Sequence, residues 1–160
     1  MQYNAIYDSP LGQLVLFSNG TALTGLYFAD HCPDLESAAA DLPVFRKTKV
    51  WLDVYFRGED SEIDIPLAPE GTEFQKQVWD ILLTVPKGQT RSYGSIAQAV
   101  ALRMGKEKMS SQAVGQAVGR NPISIIIPCH RVVGTKGQLT GYASGLEKKI
   151  WLLSHEEVML

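Results

Sequence analysis

The sequence predicts an α+β protein: a small strand-bearing unit over residues 1–69, then a helical unit over residues 70–160. Three observations predict it. Residues 3–30 are rich in β-branched and aromatic side chains broken by turn signals. From Thr72 onward the apolar residues recur at helical spacing. Between the two, Pro66, Pro69 and Gly71 mark a linker. The chain has 160 residues, 45% of them hydrophobic, which suffices for one good core or two small units packed together.

Element by element, the first unit reads as three antiparallel strands at about residues 2–8, 13–18 and 22–28. Ser9-Pro10 and Gly12 turn the chain between the first two. Asn19-Gly20 marks a tight hairpin, because both positions tolerate φ > 0. "DLESAAADL" and "KVWLDVYFRG" read as helices. The second places Val50, Val54 and Tyr55 near one face, with Trp51 and Leu52 adjacent and Gly58 as its stop. "IDIPLAPEG" is extended.

In the second unit Thr72 is the N-cap of a helix whose Phe74, Val78, Ile81, Leu82 and Val85 form one stripe. "SYGSIAQAVALRMG" and "MSSQAVGQAVGRNP" read as two further helices, the latter capped by Ser110 or Ser111 and stopped by Asn121-Pro122. "ISIIIP" reads as a short extended run. "GYASGLEKKIWLLSHE" turns through glycines into a last helix packing Ile150, Leu152 and Leu153. The chain has no internal repeats and no low-complexity segment.

Composition narrows the function classes. No 18-residue apolar run exists, so no transmembrane helix is expected. The first residues, "MQYNAIYDSPLG", lack the basic and apolar regions of a signal peptide. Cys32 and Cys129 are too few for a disulfide framework, which makes a reducing, cytoplasmic location the default. The net charge of −2 argues against a nucleic-acid partner, but the halves disagree. Residues 1–69 carry four Lys/Arg against ten Asp/Glu; residues 70–160 carry eleven against seven. Such asymmetry points to a polyanionic partner of the basic half, although an imbalance this modest also arises by chance.

Two consecutive helices in that basic half suggest a helix-turn-helix, a weak signal because short-linked helix pairs are common. The second of them is small-sided: Ser110, Ser111, Ala113, Gly115, Ala117 and Gly119. Two glycines inside a helix cost roughly 1 kcal/mol each against alanine. Something therefore approaches this backbone closely, either another helix or a nucleic-acid groove.

Chemistry concentrates at "IIIPCHRVVG". Cys129 follows a proline at the end of an apolar run and precedes His130 and Arg131. A neighbouring His or Arg lowers a thiol pKa and activates it as a nucleophile. Cys32 reads instead as a small buried hydrophobe. His130 reads as a base or a satisfied structural histidine, and Arg131 as a structural or interface residue. An acid orienting the imidazole completes a relay. Glu147, Glu156 and Glu157 are the candidates, and spacing does not choose between them.

These motifs carry a resemblance. "GTEFQKQVWDILLTVPKGQTRSYGSIA", "QAVGQAVGRNPISIIIPCHRVVG" and "GYASGLEKKIWLLSHE" together resemble the O6-alkylguanine-DNA alkyltransferase family over most of residues 71–156. The first 70 residues match it only in general character. The resemblance implies a ribonuclease-H-like α/β N-terminal domain and a helical C-terminal domain holding a helix-turn-helix. It also implies an activity. The protein would bind double-stranded DNA containing O6-alkylguanine in the minor groove and flip the damaged nucleotide out. It would then move the alkyl group to its own cysteine once and irreversibly, with O4-alkylthymine as a second substrate.

On this resemblance Cys129 is the alkyl acceptor, His130 the base acting through a water, and Glu156 the residue that orients His130. Asn121 ties the helix-turn-helix to the active-site turn, and Tyr93 helps rotate the base and protonates guanine N3. Val132, Gly141, Tyr142 and Ala143 hold the flipped base, with the Ala143 amide donating to O6. Ser92, Tyr93, Gly94, Ser111, Gln112, Ala113 and Gly115 bind DNA. The implied protein is a monomer without membrane contact and without cofactor. Some relatives hold a structural zinc, but His31-Cys32 is the single ligand-like pair here, so no metal is expected.

Two features depart from the family pattern. Gln112 stands where the family often has an arginine that fills the space left by the flipped base. The segment "VALRMGKEKMSS" is about five residues longer than usual, and its Arg103, Lys106 and Lys108 are candidates for phosphate contacts. Three other readings compete. A non-reacting lesion binder is one, but those relatives carry Trp in place of Cys129. A cysteine hydrolase using Cys129 and His130 is another. The third is a sequence-specific DNA-binding regulator with a structural cysteine.

Overall fold

A computed structural model describes residues 1–158; residues 159 and 160, the end of the second predicted unit, lie outside the described residues. The chain divides into two units: Met1–Glu70 together with Pro122–Ser124, and Gly71–Asn121 together with Ile125 onward.

In the first unit the alternating pattern produces a meander of β1 (Tyr3–Ser9), β2 (Gly12–Ser18) and β3 (Leu23–Phe28). The β1–β2 register runs from Tyr3↔Ser18 to Ser9↔Gly12. Leu14, Leu16, Leu23 and Leu26 of this sheet are fully buried. The turn at Asn19-Gly20 differs from the expected two-residue hairpin. It spans residues 19–22, and Asn19 Oδ1 accepts from the amides of Thr21 and Ala22 at 3.0 Å. Gly20 alone takes a left-handed φ, of 109°. The asparagine side chain closes the loop in place of a second left-handed residue.

The helix expected over "DLESAAADL" is absent. Ala38–Ala39 instead form β4, parallel to β1, giving the sheet order β3-β2-β1-β4. The amides of Ala38 and Ala40 donate to the carbonyls of Gln2 and Asn4. These carbonyls at the start of the β1 edge need partners, and the segment has no apolar stripe to bury as a helix, so pairing outweighs alanine's propensity. At the opposite edge β3 pairs with Leu67 and with Ile123.

Helix α1 (Pro43–Phe56) begins six residues earlier than "KVWLDVYFRG", with Pro43 in its first turn. It packs on β1 and β2 and buries Val44, Phe45, Trp51, Leu52 and Tyr55. Val50 is not on that face; it is 62% exposed. Tyr7 Oη donates to Asp53 at 2.6 Å and its ring stacks on Phe56, which fixes the helix against β1.

The second unit begins with α2 (Glu73–Leu82). Thr72 and Gln75 form a reciprocal capping box, each side chain accepting from the other's amide. Helices α3 (Tyr93–Arg103) and α4 (Ser111–Gly119) follow, capped by Ser92 and Ser110. α2, α3 and α4 pack on one another. Two short parallel strands, β5 (Arg91–Ser92) and β6 (Val132–Val133), pair with each other. The last helix is α5 (Leu146–His155).

Trp79 pins α2 to α4. It is 2% exposed, and its Nε1 donates to the Ala117 carbonyl at 2.9 Å. A Cβ on Gly71 would stand 2.5 Å from the Trp79 ring, so glycine is required where the chain enters α2. Replacing Trp79 with Phe removes the donor and part of the ring while leaving an apolar side chain. We expect Trp79→Phe to lower unfolding stability by about 2 kcal/mol. Urea denaturation would measure this; an unchanged midpoint would mean that the indole contact is energetically neutral.

Candidate active site

Cys129 reaches its place through a bend, not through the extended run expected of "ISIIIP". Ile123 pairs with β3, and the chain then turns. Ile125 is 1% exposed and takes φ 70°, a left-handed conformation that a β-branched residue avoids. Such a residue stores on the order of 1–3 kcal/mol, held by the packing around it. Asn121 Nδ2 donates to the Ile127 carbonyl at 2.7 Å, closing the bend from the end of α4. The Cys129 amide donates to the same carbonyl at 2.8 Å. Pro128 then leads into a 3-10 turn, Cys129–Arg131.

The turn buries its chemistry. Cys129 is 7% exposed and His130 fully buried. Burial pushes the Cys129 thiol up, while hydrogen bonds from the Asn121 and Tyr142 side chains and the charge of Lys149 pull the other way. Burial prevails, so the resting sulfur is a thiol and a base is needed to make it a nucleophile.

That base is in place. His130 Nε2 lies 2.6 Å from Glu156 Oε2. An ionised carboxylate only accepts, so Nε2 carries the proton and Nδ1 presents its lone pair. Nδ1 is buried and meets no hydrogen-bond partner among the described residues. Burial pulls the His130 pKa down against the raising effect of Glu156, so the ring is neutral. Of the three candidate acids, Glu156 is the one at the imidazole; it caps the C-terminus of α5.

Burial pushes the Glu156 carboxyl up, but hydrogen bonds and charge from His130 and Arg131 outweigh it and hold the pKa at about 2. Arg131 donates from Nε to Oε1 at 2.7 Å and from Nη2 to Oε2 at 3.1 Å, and from Nη1 to the Val85 carbonyl at 2.7 Å.

Lys149 is a second cation, which the sequence reading did not single out. It is 1% exposed, and its Nζ donates to the carbonyls of Val132 at 2.6 Å and Thr140 at 3.1 Å. The expected core residue beside it, Ile150, is 36% exposed instead. A signal for Lys149 existed: residues 149, 152, 153 and 156 follow the i, i+3, i+4, i+7 spacing of one helix face. A lysine and a glutamate on an apolar stripe are buried charges in need of partners.

The remaining predicted residues frame this centre. Val132 pairs with Arg91 across β5–β6, which brings Ser92 and Tyr93 beside the turn after the thiol. Thr140 Oγ1 donates to Tyr93 Oη at 3.1 Å. Tyr142 is half-buried, while its neighbours Gly141 and Ala143 are exposed. Gly94, Ser111 and Gln112 are exposed at the N-terminal ends of α3 and α4, and Ala113 is half-buried. On α4 a Cβ at Gly115 would stand 3.7 Å from the Tyr93 ring, and one at Gly119 would meet nothing within 4 Å. Among the described residues of this unit, no neighbour demands either glycine.

The buried carboxylate sets an acid limit. A carboxyl held below its unfolded value stabilises the fold above about pH 4.3 and loses that contribution as pH falls through about 2. His130 adds to the slope earlier: below about pH 6.5 the unfolded state takes up a proton that the buried ring resists. We expect urea midpoints to fall as pH drops from 7, and Glu156→Gln to be less stable at pH 7 with a flatter dependence below pH 4.5. A parallel dependence in the variant would assign the acid limb to other groups.

Residues 2–69 match the ribonuclease-like domain of 6-O-methylguanine DNA methyltransferase, and residues 73–158 match its DNA-binding domain. The chain is 46% identical to a methylated-DNA–protein-cysteine methyltransferase of Methanosarcina acetivorans, covering 96% of this chain and 97% of that one. It is likewise 46% identical to the Mycobacterium leprae protein of the same name, over 94% of this chain and 89% of that one. Among solved structures it superposes on Mycobacterium tuberculosis OGT in complex with DNA with a TM-score of 0.86 at 41% identity, covering 97% and 92% of the two chains. An O6-methylguanine DNA methyltransferase from Methanococcus jannaschii matches with a TM-score of 0.66 at 26% identity, over 98% and 95%. Both halves being matched in order, and the relatives being nearly half identical along their whole length, the chain belongs to the 6-O-methylguanine DNA methyltransferase family.

Proposed function

We propose that this protein repairs DNA by moving the alkyl group of O6-alkylguanine, and of O4-alkylthymine, onto its own Cys129. The observation that carries the reading is the buried thiol followed by a neutral imidazole whose far nitrogen is held by Glu156. His130 Nδ1 takes the thiol proton through a bridging water. The thiolate attacks the alkyl carbon; the S–C bond forms as the C–O6 bond breaks, and the electron pair goes to the purine. A proton donated at N3 meets the developing charge; exchange with water then places the proton at N1, reprotonates the donor and removes the thiol proton from His130, leaving guanine in DNA and a thioether on the protein. Nothing in the centre reverses a thioether, so each molecule acts once.

Charge developing on the purine needs donors in place before the reaction. Tyr93 supplies one. It accepts from Thr140, which leaves its own O–H to donate towards N3. The Ala143 amide supplies another, to O6. Val132, Gly141 and Tyr142 hold the flipped base. The Val132 carbonyl already accepts from Lys149, so it offers its second lone pair. Asn121 holds the bend and touches the sulfur.

The second unit is the DNA-binding and alkyl-transfer domain, working as a monomer in the cytoplasm. α3 and α4 act as a helix-turn-helix in the minor groove, with Ser92, Tyr93, Gly94, Ser111, Gln112, Ala113 and Gly115 facing DNA. Gln112 enters the stack as the damaged base leaves. Flipping costs a few kcal/mol, less for a poorly paired base. The glycines of α4 have no internal reason, which favours an external one: the backbone lies against the sugar-phosphate walls.

The first experiment is intact-protein mass spectrometry after incubation with a duplex carrying one O6-methylguanine. We expect a gain of one methyl on Cys129, absent in Cys129→Ser. Selective lesion binding with no mass change would leave a non-reacting lesion binder, and no binding at all would overturn the reading. For the groove-facing helix, Gly115→Ala is expected to raise or preserve thermal stability, since helix propensity gains up to about 1 kcal/mol, while weakening DNA binding. Equal affinity would remove α4 from the interface. Arg103, Lys106 and Lys108 follow as phosphate contacts; Arg103 is only loosely paired to Asp80 at 3.8 Å, and the two lysines are exposed. Their triple alanine variant should flatten the salt dependence of binding by up to roughly three units of log–log slope. An unchanged slope would exclude them.

A further inference from the structure

The mechanism above needs His130 as a base: burial disfavours its charged form, but the adjacent Glu156 carboxylate pulls towards imidazolium. An imidazolium cannot accept the thiol proton, so that pull has to be limited. Arg131 opposes it. Its guanidinium binds both Glu156 oxygens, at 2.7 and 3.1 Å, and anchors its third donor on the Val85 carbonyl at 2.7 Å, where the chain leaves α2. The Glu156 side chain is fully buried and that of Arg131 is 11% exposed, so the pair is little screened. We propose that Arg131 is a positioning residue of the transfer reaction: by clamping both oxygens of Glu156 it fixes the imidazole and keeps His130 neutral and able to accept a proton at physiological pH. This rests on the function proposed above.

The charges acting on His130 come from two elements. α5 supplies Glu156 and Lys149, and its own turn supplies Arg131. α2, which also packs on that turn, buries Val78, Trp79, Ile81 and Leu82, and its titratable side chains, Glu73, Lys76 and Asp80, are exposed. Arg131 and Lys149 both disfavour imidazolium, but Lys149 is bound to the Val132 and Thr140 carbonyls rather than to the relay. Arg131 is the cation that shares the carboxylate.

The test compares wild type with Arg131→Met and Arg131→Lys. The first keeps an apolar stem and removes the charge; the second keeps the charge but not the planar fork. Single-turnover methyl transfer is followed from pH 5 to 9, and the imidazole of His130 is titrated by NMR in unreacted protein, with His31 and His155 as internal references. We expect Arg131→Met to shift the acid limb of the rate and the His130 titration upward together by about one pH unit, with the rate recovering at high pH. We expect Arg131→Lys to restore the midpoint towards wild type while remaining slower at every pH. A rate lowered equally at all pH, with the His130 titration unmoved, would overturn the proposal and leave Arg131 a purely structural tie. If Arg131→Met does not fold, the Arg131→Lys titration decides. A midpoint near wild type with a slower rate supports the clamp, and an unaltered rate overturns it. If wild type transfers no methyl at all, the function proposed above fails, while the NMR titration still shows whether Arg131 governs His130.

Discussion

The carboxylate of Glu156 is the constraint on which the rest of the centre depends. An ionised carboxylate with no exposed surface is tolerable only when its lone pairs are met by donors and its charge by cations. His130 and Arg131 meet them from one 3-10 turn, so the carboxylate dictates the position of two consecutive residues, and the residue before them is the thiol. Lys149, seven residues or about two turns earlier on the same helix face, is a second buried charge. It is satisfied by carbonyls of the strand after the thiol and of the loop that follows. Helix α5 thus holds both sides of Cys129, by an anion on one side and a cation on the other.

This arrangement separates two demands on a sulfur nucleophile. A thiol kept buried and protonated is protected from adventitious oxidation, since the thiolate is the reactive form. The same burial would make it inert if no base were adjacent. A neutral imidazole supplies the base without adding a second charge to the resting site. The strained bend at Ile125 and the Asn121 bond across it deliver Cys129 to that imidazole. Such strain persists because Ile123, Ile125, Ile126 and Ile127 are all buried and over-determine the path.

The three-helix stack of the second unit serves the centre by fixing both ends of its frame. Trp79 locks α2 to α4, and the turn that follows α2 offers the Val85 carbonyl that receives Arg131. α3 begins beside β5, whose partner strand follows the turn. The groups that these helices lend to the centre come from near their ends, where backbone and side chains remain available for outside partners. Arg103 at the end of α3 and Lys106 and Lys108 in the connection to α4 add three cations to this stack.

Much of this was legible in the sequence, because local physics specified it. Three strands, the Thr72 cap, the helices following Ser92 and Ser110, and the Cys-His pair all depend on residues within a turn or two of one another. So does the family: ordered motifs over residues 71–156 carried the resemblance. Where the sequence misled, a distant partner had decided. Ala38–Ala39 became a strand because β1 had unpaired carbonyls, "ISIIIP" bent because Ile123 paired with β3, and Val50 and Ile150 faced outward while Lys149 faced in. Spacing left the three acids undecided for the same reason, and the family resemblance alone singled out Glu156. Glu147, Glu156 and Glu157 look alike along the chain, and only the path of α5 places one of them 2.6 Å from the imidazole. The sequence by itself determined which chemical groups the protein owns and which short segments fold on their own preferences. The tertiary structure decided which of those groups meet, because a hydrogen bond or an ion pair depends on distance in space, and residues 26 positions apart acquire one only when the chain is packed.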